Sequence, residues 1–248
     1  MLLAEITWED FSATLDEIAD DLLDEAGMHD PPVDALALAS RLGIAVAWDA
    51  EQQGRGRYVR LRGHHSACPR PAIVLRPEPR AEREHWIVAH EIGEHVAHRV
   101  FAALDVDPSE SPPESRETVA NRLAGRLLLP GRWLLDDVAE CGWDLAELKR
   151  RYASASHELI ARRMLEFPEP IIITIHDQGQ ITLRQSNMPG RVPGLMPAEQ
   201  RCWQRVHESG RPVSEQDTMI QVNGWPVHEP EWQREILRTE LNGETYGF

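Results

Sequence analysis

Cysteine is scarce in this chain. Three cysteines among 248 residues, Cys68, Cys141 and Cys202, are odd in number and far apart, and no two form a Cys-x-x-Cys pair. That excludes a disulfide framework and a thiolate zinc ribbon, and reduced thiols in a cytoplasm are the expectation. Long apolar runs are missing too. No stretch approaches the roughly 20 residues that a membrane-spanning helix needs. Glu5, Glu9 and Asp10 stand where a signal peptide would be basic. Positive charge is also in short supply. Lys and Arg total 26 against 41 Asp and Glu, for a formal net charge of −15. That balance opposes non-specific binding to nucleic-acid phosphates, and no helix-turn-helix pattern offsets it. Internal repeats and low-complexity tracts are absent. These absences point away from nucleic acid and membranes and towards a protein partner, with a basic one attracted electrostatically. The 42% hydrophobic content is enough for a real core, and the length suits one domain, or one with a small appendage.

The densest chemistry lies in Ala89-His90-Glu91-Ile92-Gly93-Glu94-His95-Val96-Ala97-His98. Two histidines four residues apart on one helix face grip a metal in the His-Glu-x-x-His pattern, and the Glu after the first is the general base. Here His90 and Glu91 are in place, but Glu94 stands four residues on and His95 follows one step late. At about 100° per residue, position i+4 lies about 40° round from i, whereas i+5 lies about 140° round. Glu94 is therefore set to share an ion with His90. His95 joins only if the helix carries an extra-residue bulge, which Gly93 would make cheaper. A site without a tightly bound metal is the third option. Trp86, Ile87, Val88, Ala89, Ile92, Val96, Ala97, Val100 and Phe101 spread round the helix, so it reads as mostly buried. Buried His and Glu need partners, either a metal or an internal ion pair.

A second segment runs from Glu117 to a stop at Pro130. Glu117, Asn121, Ala124 and Leu128 fall on one stripe, and the small apolar surroundings suit packing against the first helix. Alone, Glu117 reads as a helix-start carboxylate favoured by the dipole. Beside the first motif it reads as the third protein ligand, which a second helix usually supplies. On this reading the site is His90, Glu94 and Glu117 around a metal, with Glu91 as catalytic base. Two carboxylates cancel the charge of a divalent ion, whereas two histidines and one carboxylate leave +1. Activation of water is weaker for that reason, and harder ions such as Mn²⁺ or Fe²⁺ become alternatives to Zn²⁺.

The chain resembles the ImmA/IrrE metallopeptidases. The resemblance rests on His90-Glu91-Ile92-Gly93 with His98 eight residues on, and on Glu117-x-x-Ala120-Asn121-x-x-Ala124 ending in Leu127-Leu128-Leu129-Pro130. Pro32 to Ala37 with Leu42-Gly43-Ile44, and Ser154-Ala155-Ser156 with Arg162-Arg163-Met164, are similar to the family's flanking segments. It implies a zinc-dependent endopeptidase of gluzincin-like α+β fold that cleaves helix-turn-helix repressors in stress responses or mobile-element control. Glu94 departs from the family's second histidine. The alternatives are a catalytically weak relative kept as a binding or sensing module, and a toxin–antitoxin or phage-linked interaction protein with its partner encoded nearby.

The patterning predicts helices over 11–26, 33–42, 81–101, 114–128, 132–139, 144–151 and 155–166. Three strands, Ala45–Trp48, Gly56–Leu61 and Ala72–Leu75, form one small sheet, and the loop Asp105 to Pro113 lies near the site. Composition shifts at Phe167-Pro168-Glu169-Pro170. The expected domains are therefore 1–167, metallopeptidase-like, and 168–248, a small α+β unit of unknown role. In the latter, Asp177-Gln178-Gly179 signals a hairpin, Ala198 to Ser209 a helix, and Met219 to Val227 and Trp232 to Leu241 two strands. His64, His65 and Cys68 read as an exposed loop, and Trp203, Trp225 and Trp232 as buried structural side chains. His228 and Glu229 read as turn residues, and the acidic run Asp16 to Glu25 as a solvated helix face.

Overall fold

A computed structural model describes residues 5–62, 69–109 and 111–241. His64, His65 and Cys68 lie outside the described residues. The fold is α+β: eight helices and two small sheets among the described residues. By contact the chain divides into two compact units. One is Met1–Gly142 with Leu148–Ser156, and the other is Trp143–Glu147 with His157–Phe248.

In the first unit, α1 (Trp8–Glu25) begins where the Thr7 hydroxyl accepts from the Asp10 amide at 3.1 Å. It buries Phe11, Leu15, Ala19, Leu22 and Leu23 at helical spacing. Helix α2 (Ala35–Arg41) is capped by Asp34, whose carboxylate accepts from the Leu36 and Ala37 amides. Strands β1 (Ala45–Trp48), β2 (Gly56–Leu61) and β3 (Arg70–Leu75) form a sheet of order β1-β3-β2, with β1 parallel and β2 antiparallel to β3. Helix α3 (Ala81–Ala103) runs unbroken through the motif and packs on α4 (Pro113–Leu128). Helix α5 (Gly131–Cys141) follows, and α6 (Leu145–Arg151) is divided between the two units, with Leu148–Arg151 in this one. The α3–α4 contact explains Gly93: a Cβ there would lie 2.8 Å from the Ala120 carbonyl oxygen. Gly93 serves close helix approach, and α3 carries no extra-residue bulge of the kind that would bring His95 beside His90.

The acidic face of α1 is not simply solvated. Asp16 pairs with the buried Arg126 of α4 at 3.3 Å. Asp20 and Asp24 pair with Arg132 of α5 at 3.2 and 2.7 Å, and Glu25 with Arg99 of α3 at 2.8 Å.

In the second unit, α7 (His157–Met164) precedes a five-stranded antiparallel sheet of order β5-β4-β8-β7-β6. Its strands are β4 (Ile171–Asp177), β5 (Gln180–Ser186), β6 (Val213–Gln216), β7 (Ile220–Pro226) and β8 (Arg234–Leu241). The β4–β5 hairpin turns at Gln178 and Gly179, both at positive φ (51° and 76°), which matches strand twist in a two-residue loop. Helix α8 (Pro197–Ser209) lies over the sheet, packing Ala198, Cys202 and Val206 on Ile220, Val222 and Leu237. Glu199, fully buried, accepts from Arg184 at 2.9 and 3.1 Å and from the Thr239 hydroxyl at 2.7 Å.

The reading of three buried tryptophans fails in part. Trp225 is buried and Trp203 partly so, but Trp232 is 43% exposed. Trp232 belongs to the connection between β7 and β8, where a single backbone bridge to Glu229 turns the chain. His228 beside it donates to the buried Glu235 carboxylate at 2.9 Å.

Candidate metal centre

The site is assembled from α3 and α4. His90 and Glu94 are one turn apart on α3, and Glu117 stands in the first turns of α4. One ligand atom from each lies within 4.8 Å of the others. Glu117 is exposed, and His90 and Glu94 are half-buried, so the cluster opens to solvent on one side. The Gly93–Ala120 contact brings the two helices close enough for this.

Asn121 fixes the chemistry of His90. Its amide nitrogen donates to Glu117 Oε1 at 2.9 Å, so its oxygen faces His90 Nδ1 at 3.1 Å. An amide oxygen only accepts, so Nδ1 carries a proton, and in the neutral ring Nε2 then presents a lone pair. That lone pair faces Glu117 Oε2 at 3.6 Å. Two acceptors so placed repel one another unless a cation or proton sits between them. A tetrahedral ion about 2.0–2.1 Å from nitrogen and oxygen donors separates those donors by roughly 3.4 Å. The spacing and donor set therefore fit a divalent ion. In the sequence Asn121 stands on the Glu117 stripe without a role, and the i,i+4 spacing between them is compatible with this bridge without singling it out.

His95 turns away from this cluster. Its Nδ1 is 2.8 Å from the Tyr58 hydroxyl of β2, and the two rings lie 4.9 Å apart. Burial lowers its pKa, with His98, Arg60, Arg99 and Arg116 adding to the effect. Glu94 is itself engaged: Arg116 Nε donates to Oε2 at 2.6 Å and Arg116 Nη2 to the Glu94 main-chain oxygen at 2.8 Å.

Glu91 is 8% exposed and lies against β2. A Cβ at Gly56 would come within 2.9 Å of its Oε1, so glycine there leaves room for the carboxylate. Burial raises its pKa and the Glu94 and Glu117 charges raise it further, while His90 and the Tyr58 backbone N–H oppose the rise. Beside Glu94 opens a cleft of about 430 Å³. Tyr58, Arg60, His98 and Arg116 line it, as do Pro108, Ser111 and Pro112 of the loop expected near the site.

Residues 39–165 match the family described as the IrrE N-terminal-like domain of the M78 peptidases. No curated protein matches the chain. Among solved structures, a Mycobacterium tuberculosis transcriptional regulator superposes with a TM-score of 0.64, covering 94% of this chain and 81% of that one. At 19% identity the likeness is one of fold. No helix among the described residues is long and apolar enough to cross a membrane.

Proposed function

Because the chain belongs to the family of the IrrE N-terminal-like peptidase domain, we propose that it is a metal-dependent endopeptidase whose ion is held by His90, Glu94 and Glu117. The observation that carries this reading is Nε2 of His90 facing Glu117 at 3.6 Å, with Nδ1 turned to Asn121 and Glu94 in the same cluster. A bound Zn²⁺ would polarise the scissile carbonyl and acidify water. Mn²⁺ or Fe²⁺ suits the two-carboxylate set as well.

The protein's own groups do the rest. Asn121 holds His90 in the tautomer that offers Nε2, and steadies Glu117. Glu91 takes the proton of the attacking water and delivers it to the leaving nitrogen. Its burial favours the protonated form and suits a group that must hold that proton between two transfers. The cleft beside Glu94 receives the substrate chain.

The substrate is a protein, and we take it to be a helix-turn-helix repressor or similar regulator encoded nearby, in stress response or mobile-element control. The net charge of −15 favours a basic partner over nucleic acid. The fold shared with a transcriptional regulator suits a regulatory setting, and the three scattered cysteines suit the cytoplasm. We assign the peptidase role to residues 1–167 and leave 168–248 as an appended unit. The second reading, a catalytically weak relative that binds or senses, draws on Glu94, whose carboxylate is already engaged by Arg116.

Two measurements test the proposal. Metal analysis should find close to one divalent ion per chain in wild type and loss of it in His90→Ala and Glu117→Ala; equal content in all three sinks the site. Glu91→Gln should keep the ion and lose cleavage of the neighbouring regulator. Wild type and Glu94→His both inert on that regulator would favour the second reading.

A further inference from the structure

We propose that Arg116 is a positioning residue that lets Glu94 take the place of a neutral metal ligand. The inference rests on the metal-centre reading above and deepens it. Arg116 grips Glu94 at two points, Nε on Oε2 at 2.6 Å and Nη2 on the main-chain oxygen at 2.8 Å. The side chain of Glu94 is thereby fixed in direction, with Oε1 left as the uncommitted oxygen.

Charge gives the arrangement its purpose. As a metal ligand His90 is neutral, with its Nδ1 turned to Asn121, and Glu94 and Glu117 each contribute −1. With Arg116 at +1 the group sums to −1, the charge that two neutral donors and one carboxylate would carry. A divalent ion there keeps a net +1, and with it the power to withdraw electrons from water and carbonyl oxygen. Without Arg116 the sum would be zero. Arg116 immediately precedes Glu117 on α4, so one turn delivers both a ligand and the countercharge to the extra carboxylate on α3. The pair does little for stability: Arg116 is 55% exposed, and ion pairs that open are worth about 0–1 kcal/mol.

The role has a counterintuitive sign. A cation beside the site repels the metal, so removing it should tighten binding while weakening catalysis. Zinc affinity, read by competition with a chromophoric chelator, should rise at least about tenfold in Arg116→Gln. In Arg116→Lys, which keeps the charge, it should stay within about threefold of wild type. The alkaline onset of peptide cleavage should move to higher pH in Arg116→Gln, and the melting temperature of the metal-free protein should not move. Zinc binding in Arg116→Gln that is weaker than or equal to wild type overturns the proposal, because a residue that merely braces α3 against α4 predicts that result. His90→Ala is measured alongside. If it keeps wild-type zinc affinity, the metal centre itself is refuted, and the role of Arg116 goes with it.

Discussion

Glu94 and His95 are neighbours in sequence with different surroundings. Glu94 shares a cluster with His90 and Glu117, whereas His95 bonds Tyr58 of β2. Glu94→Ala should therefore lower metal affinity strongly, and His95→Ala should leave it within a few-fold of wild type. Isothermal titration with Zn²⁺ checks the ranking, and the reverse order would require a bulged α3. The spacing of His90, Glu91 and Glu94 on one helix, and of Glu117 on the next, was readable because each depends on local periodicity. Asn121, Tyr58 and Arg116 were not assigned roles, because each acts across a tertiary contact. An asparagine four residues after a glutamate is common on any helix, and only the approach of α3 shows that it bridges two candidate ligands.

Among the elements, α3 was the most legible, since apolar residues around its whole circumference announce a buried helix. Gly93 was read as a weak point in it. In the fold it is the contact point with Ala120, a purpose that the sequence of α3 alone does not contain. Gly93→Ala should push α4 away, because the obstacle is backbone and cannot rotate aside. The cost should reach about 1–3 kcal/mol, the range of overpacked cores. Thermal denaturation checks this, and loss of metal affinity should accompany it because both helices carry ligands. Strand β6 escaped the pattern: Val213-Ser214-Glu215-Gln216 has a single apolar residue and survives as a short edge paired only to β7. The β4–β5 hairpin was legible because Asp177-Gln178-Gly179 supplies the residues its turn demands.

For the molecule as a whole, pH stability is governed in part by the second unit. His176 is 2% exposed, stacked on Trp203 at 5.1 Å, with Nδ1 unpartnered, and burial lowers its pKa. Just below its ordinary value of about 6.5, the unfolded chain binds a proton that the folded chain refuses. Stability is thus fully present above that value and declines as pH falls below it, towards the lower folded pKa. Urea unfolding at pH 7.5 and 5.5 should show a smaller loss in His176→Phe than in wild type; an equal loss would place the sensitivity elsewhere. Patterning made the α+β class legible, but not the buried histidine, since His176 follows the apolar run Ile171 to Ile175 and a polar residue there reads as the solvated end of a strand. All seven residues of β4 are buried.

Helix α1 is tied through Asp16, Asp20, Asp24 and Glu25 to arginines on α3, α4 and α5. Three of these ties are solvent-accessible and one reaches a buried guanidinium, so added electrolyte reaches them unequally. In amide hydrogen exchange, the C-terminal turns of α1, held by Arg99 and Arg132, should lose protection as sodium chloride rises from low to molar concentration. The turn around Asp16 should hold. The end of the helix then opens as a local unit of its own, and the ionic composition of the surroundings sets how often the stretch of α3 around Arg99 is uncovered.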